Sequence, residues 1–330
     1  MKFSNRIQQV NPSMTLAIDA KAKEMKANGE DVIGFGAGEP DFDTPDRIKQ
    51  AGIRAIEAND THYTPVGGSN DLKDAIITKL KRDNGLDYER NQILVSCGAK
   101  QSFYNLAQVL WEAGDEVIIP APYWVSFPEM VVLAGAKPVI IETNAASDFK
   151  VTVEQIKKVL TPNTRAILIN SPSNPTGSAY EKSELEAIAA FALENNLLVI
   201  SDEIYEWIIF DGFKHTSIAS LSKEAQKNCV VINGVSKCYA MTGWRIGYIA
   251  ADAEIVKQVG KLQGQSTSNP CSISQAASIE ALTGPHDDVL EMVREFEKRR
   301  NIMVERLNAI SGVSCNTPNG SFYTFPDFSA

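Results

Sequence analysis

Short apolar segments alternate with helix-like segments along most of this chain, and this alternation constrains its fold more than any other sequence feature. The apolar segments are continuous and rich in Val, Ile and Leu, which is typical of strands buried on both faces of a mostly parallel sheet. The pattern predicts an α/β fold in which helices sandwich the sheet. The predicted strands are Gln92–Ser96, Glu116–Pro120, Lys137–Glu142, Arg165–Asn170, Leu197–Ser201, Cys229–Asn233 and Arg245–Ala250.

Helical periodicity fills most of the intervals between these strands and continues after the last of them. The main helices predicted after the first strand are Gln101–Trp111, Glu181–Asn195, Asp252–Gln263, Ser274–Leu282 and Asp287–Ala309. An earlier helix over Asp71–Asn84 should end at Gly85, a common helix stop. We expect a large domain over residues 41–285. A smaller α/β domain would combine an N-terminal arm, residues 1–40, with residues 286–330.

The composition argues against several classes of protein. Asp and Glu number 41 against 32 Lys and Arg, and a net charge of −9 argues against a nucleic-acid binder. The first residues lack the apolar core of a signal peptide, and no apolar run approaches the ~18 residues of a membrane span. The five cysteines and three histidines are scattered, so no metal site is expected. We expect a cytoplasmic protein with free thiols and no membrane partner.

Polar, aromatic and ionisable residues follow five of the predicted strands. Ligands of open parallel sheets collect beyond the carboxyl ends of the strands, so these residues are expected to form one site. Any one of the segments could be an ordinary loop, but five together indicate a shared function. They are Cys97–Gln101, Ala121–Trp124, Ser171–Gly177, Asp202–Tyr205 and Gly234–Lys237.

One part of this predicted site suits a phosphate group. Gly98, Ala99 and Lys100 open a helix, whose first backbone N–H groups and dipole attract an anion. Ser236 can add a hydroxyl, and Arg245 can add a guanidinium that binds phosphate through charged hydrogen bonds.

The other groups suit an aromatic ring that carries an aldehyde. Asp202, at a buried strand end, needs a cationic partner such as a protonated ring nitrogen. Tyr205 and Asn174 can bond a ring oxygen, and Trp124 offers a flat face for stacking. Burial and neighbouring cations should lower the pKa of Lys237 and favour Schiff-base chemistry. With the phosphate, these features describe pyridoxal 5′-phosphate (PLP).

Each of these residues also has a simpler structural interpretation. Lys237 could be a surface lysine, and Asp202 could be a helix N-cap. Asn174–Gly177 could be only a turn, and Trp124 could be ordinary core packing. Lys100, at a helix start, could simply be solvated. The presence of all the segments in one chain favours the cofactor interpretation, whereas the role of Lys100 stays open.

Six separated motifs resemble those of class I PLP-dependent aminotransferases of fold type I, and the resemblance as a whole runs from about Asn11 to Tyr323. The resemblance is to the bacterial type of aspartate aminotransferases in particular. The motifs are Gly36–Asp41, Tyr63–Gly68, Pro122–Trp124, Asn174–Gly177, Ser201–Tyr205 and Ser236–Gly247.

The resemblance implies a role for each residue around the cofactor. Lys237 would join PLP as a Schiff base and then carry a proton between two carbon atoms. Asp202 would keep the ring nitrogen protonated. The implied contacts of the ring and the phosphate come from Trp124, Asn174, Tyr205, Gly98, Ala99, Lys100, Ser236 and Arg245.

The resemblance also implies how subunits and substrates meet. Tyr63 would reach the cofactor phosphate of a neighbouring subunit, so the active unit would be a homodimer with shared active sites. Gly38 would lie at the α-carboxylate of the substrate, beside Trp124 and Asn174. Lys100 would face the distal carboxylate of a dicarboxylic substrate.

The implied activity is transamination between an amino acid and a 2-oxo acid, with L-aspartate and 2-oxoglutarate as the favoured pair. The alternatives are an aromatic, alanine or prephenate aminotransferase, a lyase or synthase of the same fold, and a non-catalytic PLP-binding regulatory module. About 30 residues precede the first motif, too few for the DNA-binding domain that a regulator of this kind requires.

Members of the resembled family continue beyond the position that corresponds to Ala330. Their additional residues complete the small domain and carry an arginine that holds the substrate α-carboxylate. No arginine follows Arg306, and Asn319–Pro326 resembles the start of the small-domain sheet. We therefore expect a C-terminally incomplete chain with an intact cofactor site, an incomplete substrate site and poor turnover of aspartate.

Overall fold

A computed structural model describes residues 1–36 and 38–329, so Ala37 of the Gly36–Asp41 motif and Ala330 lie outside the described part. A seven-stranded sheet forms the centre of the molecule. Its strands are β1 (Ile93–Ser96), β2 (Glu116–Ala121), β3 (Lys137–Glu142), β4 (Thr164–Asn170), β5 (Leu198–Asp202), β6 (Cys229–Gly234) and β7 (Gly247–Ala250). The spatial order is β1-β7-β6-β5-β4-β2-β3.

Helices supply apolar side chains to a core on each face of this sheet. The helices of the described residues are α1 (Asn5–Gln8), α2 (Met14–Ala27), α3 (Asp46–Glu57), α4 (Asn70–Asn84), α5 (Ala99–Leu110), α6 (Ser126–Ala134), α7 (Val153–Val159), α8 (Lys182–Glu194), α9 (Lys223–Lys227), α10 (Ala253–Gly264), α11 (Ser272–Thr283) and α12 (Asp287–Asn308). The mostly parallel α/β fold predicted from the alternation is confirmed. None of these helices is long and apolar enough to cross a bilayer.

Alternate residues of the strands enter two different hydrophobic cores. In β2, Ile118 belongs to the core on one face of the sheet and Ile119 to the core on the other. All residues of β6 are buried, as the continuous apolar run predicts. The sheet therefore owes its stability to burial on both faces.

Local signals set both ends of α4, which stops at Gly85 as predicted and starts at Asn70, one residue before the predicted start. The Ser69 hydroxyl accepts a hydrogen bond from the Leu72 N–H at 3.2 Å, which caps the first turn. Gly85 follows the last helical residue with φ = +68°, a conformation that glycine adopts without strain. The helix lies between Ser69 and Gly85 because these two residues provide hydrogen bonds for backbone groups at its ends that have no partner within the helix.

The last predicted strand differs from the observed one in start and direction. β7 begins at Gly247, two residues after the predicted start, because Arg245 has φ = +55° and leaves the extended conformation. β7 runs antiparallel to both β6 and β1, whereas the pairings among β2 to β6 are parallel. A strand buried on both faces has the same sequence pattern in either direction, so the pattern could not predict this.

The C-terminal residues lie against the large α/β region. Residues 310–329 contain two isolated antiparallel bridges, Ser314 with Asp327 and Gly320 with Ile209, and no longer strand. The Ser321 N–H donates to the Ile208 carbonyl at 2.8 Å, just beyond β5. This segment therefore reaches the carboxyl edge of the sheet. The proposed domain boundaries at residues 40 and 285 stay predictions.

Candidate active site

The carboxyl ends of three adjacent strands bring most of the predicted site residues together. β4, β5 and β6 are parallel neighbours, and their final residues lead directly into the loops that carry the predicted groups. The Ser171 N–H donates to the Asp202 carbonyl at 3.1 Å, and the Glu203 N–H donates to the Ile232 carbonyl at 2.9 Å. These bonds continue the strand pairing past the sheet edge and hold the loops side by side.

Lys237 is a half-buried lysine beside two aromatic rings. Its Nζ donates a hydrogen bond to the Gly38 carbonyl and lies 5.7 Å from the centre of the Tyr205 ring. Burial is the main cause that lowers its pKa to about 8, and the nearby Arg245 charge acts in the same direction. A lysine with this pKa is partly neutral near physiological pH, which a nucleophilic amine requires.

Asp202 is the last residue of β5 and is only 7% exposed. Among the described residues, its carboxylate accepts one hydrogen bond, from the Ile204 N–H at 3.2 Å. Burial raises its pKa to about 7, although that hydrogen bond opposes the change. The residues after it form a turn rather than an α-helix, so the N-cap interpretation is wrong. A buried carboxyl group with so few partners is suited to a cationic ligand.

Tyr205 is buried above this edge and shares a hydrogen bond of 2.9 Å with the hydroxyl of Tyr323. Burial raises its pKa well above the ordinary value, and the Tyr323 hydroxyl contributes in the same direction. The Asn174 side chain acts on the same hydroxyl and lowers that pKa slightly. The neutral phenol and the amide can therefore both donate hydrogen bonds to a ligand oxygen.

The N-terminus of α5 forms a cradle beside these groups. Gly98 has φ = +87°, and a Cβ atom there would overlap the guanidinium of Arg245. Gly247 of β7 lies so close to Ala99 that a Cβ atom there would also overlap it. Both glycines therefore allow the backbone, the helix start and the guanidinium to converge on one small volume.

The groups that line this cradle suit a phosphate. The Arg245 guanidinium is exposed and donates to the Thr242 carbonyl at 2.7 Å, which orients it. Ser236, buried two residues after the end of β6, carries a further hydroxyl donor. With the free N–H groups at the start of α5, these donors match an anion. The cradle and the nearly unpartnered Asp202 carboxylate together fit the phosphate and ring nitrogen of PLP.

Lys100 and Trp124 pair at the outer side of the cradle. The Lys100 Nζ lies 4.8 Å from the centre of the Trp124 ring, a cation–π contact. Burial and the charge of Arg245 lower the pKa of Lys100. Trp124 also packs edge-on against Phe127, with ring centres 5.1 Å apart. The stacking role predicted for Trp124 and the substrate role predicted for Lys100 stay predictions.

Tyr63 does not join this cluster within its own chain. Its side chain is 93% exposed, which is unusual for a tyrosine in a motif with a predicted site role. The role predicted for it concerns the cofactor of a neighbouring subunit, and it stays a prediction.

Two aromatic residues of the C-terminal segment, which the sequence patterns do not predict as site residues, complete the site. Phe322 lies edge-on to Tyr205, with ring centres 5.4 Å apart, and 5.6 Å from the Lys237 Nζ. A Cβ on Gly38 would overlap the Tyr323 hydroxyl, so this hydroxyl lies directly beside the residue whose carbonyl accepts from Lys237. The Phe-Tyr pair after Gly320 was visible in the sequence, but no local pattern links it to β5.

The fold and the site together define an aminotransferase of class I and II. The model of that family, aminotransferase class I and II, matches residues 30–330, and the chain belongs to this family. The chain is 54% identical to the aspartate aminotransferase of Bacillus sp. (strain YM-2), and the match covers 99% of the chain and 83% of that relative. It is 48% identical to the aspartate/prephenate aminotransferase of Cereibacter sphaeroides, over 99% of the chain and 82% of the relative.

Two solved structures with the same architecture are named aspartate aminotransferases. The aspartate aminotransferase of Rhizobium meliloti has a TM-score of 0.96 and 44% identity, over 100% of this chain and 82% of that chain. The aspartate aminotransferase of Thermus thermophilus with maleate has a TM-score of 0.95 and 41% identity, over 99% of this chain and 85% of that chain.

Proposed function

We propose that this aminotransferase uses PLP to transfer the amino group of L-aspartate to 2-oxoglutarate, which yields oxaloacetate and L-glutamate. The observation that carries the proposal is Asp202, a buried carboxyl group with one N–H partner beside a lysine of lowered pKa. PLP, when bound, supplies an aldehyde that captures amines and a ring that withdraws electrons from the carbon attached to the nitrogen.

The residues of the chain would divide the remaining work. The Asp202 carboxylate would hold the proton on the ring nitrogen. The charged ring would in turn be the cationic partner that this buried carboxylate lacks. Tyr205 and Asn174 orient the ring through its oxygen. The Lys237 amine would hold the cofactor through its aldehyde and, when free, would accept a proton from the substrate Cα. Its lowered pKa leaves it partly unprotonated and able to accept that proton.

The choice of aspartate rests on the dicarboxylic character of the substrates. The ammonium of Lys100 beside Trp124 offers a cation at the outer side of the site, where a second carboxylate would lie. The names of the relatives support the same choice, because the three with 50–54% identity are called aspartate aminotransferases. Maleate, found with the Thermus thermophilus structure, is a four-carbon dicarboxylate like aspartate.

Prephenate is the second candidate for the oxo-acid substrate. Relatives at 45–48% identity are named aspartate/prephenate aminotransferases, some of them as probable. Prephenate also carries two carboxylates, so the same cation would serve it. Comparing kcat/KM for oxaloacetate and prephenate, with L-glutamate as amino donor, distinguishes the two assignments.

A spectroscopic titration tests the proposal directly. Addition of PLP to the protein should give a visible absorption band that L-aspartate then bleaches, and Lys237→Ala should lack this band. Borohydride reduction followed by peptide mapping should place the label on Lys237. A label on a different lysine would overturn the assignment of the site.

We also propose that the active unit is a homodimer and that the protein works in the cytoplasm. The exposed Tyr63 ring supports a partner surface, because an isolated chain would leave a large aromatic group in water. The five free cysteines suit a reducing compartment. Size measurement by light scattering tests the dimer, and cell fractionation tests the location.

A further inference from the structure

The segment after β5 carries two buried acids that the proposed mechanism does not use. Asp202 and Tyr205 contact the site, but Glu203 and Glu206 between and beyond them bond to other parts of the protein. The Glu203 carboxylate accepts from the hydroxyls of Ser201 and Ser217 at 2.8 and 2.7 Å. Glu203 and Glu206 therefore fix the position of this segment through hydrogen bonds to residues outside the ligand site.

Glu206 is the centre of a second buried network. Its carboxylate accepts hydrogen bonds from the ammonium of Lys79, from Asn233 Nδ2 at 2.6 Å and from Asn84 Nδ2 at 2.8 Å. Lys79 is 2% exposed and also donates to Asn84 Oδ1 at 2.7 Å. Burial is the largest influence on the pKa of Glu206 and would raise it, but the charges of Lys79 and His215 and the hydrogen bonds from Lys79 and Asn84 together lower it.

This network connects three elements that surround the site. Lys79 and Asn84 belong to α4, and Asn233 lies in β6, four residues before Lys237. Asn233 Oδ1 also accepts from the Gly234 N–H at 2.7 Å, so the same side chain shapes the end of β6. Glu206 therefore ties the segment of Asp202 and Tyr205 to the segment of Lys237.

Neither metal binding nor stability accounts for this arrangement well. Ligand atoms of Glu203, Glu206 and His215 lie within 4.8 Å of one another, but the ammonium of Lys79 already supplies a cation at Glu206. Buried ion pairs often add little net stability, because desolvation offsets the attraction between the charges. They do impose a defined geometry, since each partner is costly to separate.

We propose that Glu206, with Lys79 as its counter-ion, is a positioning residue that sets Asp202 and Tyr205 against Lys237. The inference rests on the proposed function, in which those three residues act on one cofactor. Glu206 itself contacts neither the cofactor site nor the substrate. Its effect arises because proton transfer requires the groups on β5 and β6 to keep a fixed separation.

The test uses two variants of the buried pair and, as a control, a variant of an ion pair with an exposed lysine. Glu206→Gln and Lys79→Met each remove the ion pair. Lys137→Met removes the Lys137–Glu116 pair, 2.9 Å long, at the opposite end of the sheet. The measurements are kcat and KM for L-aspartate, and the visible circular dichroism of bound PLP, which reports the orientation of the ring.

We expect kcat to fall by about 10-fold or more in both variants, with KM changed by less than about 3-fold. The reason is that a shift of Asp202 and Tyr205 relative to Lys237 weakens stabilisation of the transition state more than it weakens substrate binding. The visible circular dichroism should change in amplitude in both, and Lys137→Met should match the wild type in every measurement. If the single variants do not fold, Lys79→Met combined with Glu206→Gln removes both charges of the pair at once and provides the same test.

The outcomes separate this inference from the proposed function. Folded variants with wild-type kcat and circular dichroism, next to an active wild type, would overturn the positioning role alone. A wild-type chain that gives no visible band with PLP and no transamination would overturn the proposed function, and the positioning role with it.

Discussion

The chemistry of the site depends on single ionisable groups that the fold removes from water. Asp202 and Lys237 show this most clearly, because burial is the largest cause of both pKa shifts. Each shift moves the group toward its neutral form. A ligand with a cationic ring would lower the pKa of Asp202 again, and an aldehyde on it would react with the neutral amine of Lys237.

The first prediction concerns the rate contribution of Asp202. Asp202→Asn keeps the size of the side chain but removes the charge that would hold the ring proton. We expect PLP to bind through its phosphate contacts while the transamination rate falls by about 10²–10³-fold or more. Single-turnover kinetics with L-aspartate measures this loss, and a rate close to that of the wild type would exclude the role.

The second prediction concerns pH and the stability of the protein without cofactor. Because the pKa of Asp202 is raised to about 7, the folded state keeps its proton over a range in which the unfolded state releases it. The contribution of Asp202 to stability should therefore fall as pH rises from about 4 to about 7. Asp202→Asn does not titrate, so its stability relative to the wild type should rise across this range.

Urea unfolding at several pH values measures this difference. Each pKa unit corresponds to about 1.4 kcal/mol, so the relative change is on the order of a few kcal/mol. Saturating PLP should reduce it, because a protonated ring nitrogen favours the carboxylate. A difference that is independent of pH would mean that Asp202 is ionised in the folded protein at all these values.

The third prediction concerns the specificity of Lys100. Lys100→Met should lower kcat/KM for L-aspartate by about 10-fold or more, since charged hydrogen bonds contribute about 1.5–3 kcal/mol. L-Alanine lacks the second carboxylate, so its kcat/KM should change little. Lys261→Met, at an exposed position of α10, is the control. Equal losses for both substrates would assign Lys100 to phosphate binding instead.

At the scale of the secondary structure elements, the strand-to-helix junctions form the site. The junction of β1 and α5 requires Gly98, because its φ of +87° and the nearby guanidinium of Arg245 leave no room for a side chain. At the junctions after β5 and β6, which carry Asp202 and Lys237, the backbone is held instead by hydrogen bonds that continue the strand pairing.

The fourth prediction belongs to the first of these junctions. Gly98→Ala should weaken PLP binding by about 10-fold or more, because the new methyl group displaces Arg245 from the cradle. Gly85→Ala is the matched control, with φ = +68° and open space around it. It should lower stability by about 1 kcal/mol without changing PLP affinity, which fluorescence titration measures. Equal PLP affinity in the two variants would contradict the phosphate assignment.

At the scale of the whole molecule, the proposed dimer makes the active site a property of two chains. Tyr63 is almost fully exposed in one chain, whereas Lys237 is half-buried. If Tyr63 serves the site of the neighbouring subunit, the two residues of one functional site belong to different chains. Two-fold symmetry would then pair each Lys237 with the Tyr63 of the partner.

The fifth prediction uses this arrangement. Tyr63→Ala and Lys237→Ala should each have low activity, but a mixture that is unfolded and refolded together should recover about one quarter of the wild-type value. Half of the random dimers are mixed, and one of their two sites then has both residues intact. Mixing without refolding is the control. No recovery in refolded dimers would place Tyr63 outside the shared site.

Much of this architecture could be predicted from local sequence patterns. The strand Lys137–Glu142 was predicted with its observed bounds, and α4 ends at Gly85 as expected. Lys237 and Asp202 were identified because each follows an apolar strand that is buried on both faces. In such a strand, burial, periodicity and the following polar residues are all encoded within about ten positions.

The remaining features depend on contacts between distant parts of the chain. The direction of β7, the position of Tyr323 beside Gly38 and the pairing of Lys79 with Glu206 leave no periodic trace in the sequence. Lys79 and Glu206 are 127 positions apart, and a lysine in an amphipathic helix ordinarily indicates a solvated face. The sequence by itself therefore determined the elements and the reactive residues, since these follow from local burial and backbone preference. Only the tertiary structure decided which buried charges face each other, because that choice is made when separate elements exclude water together.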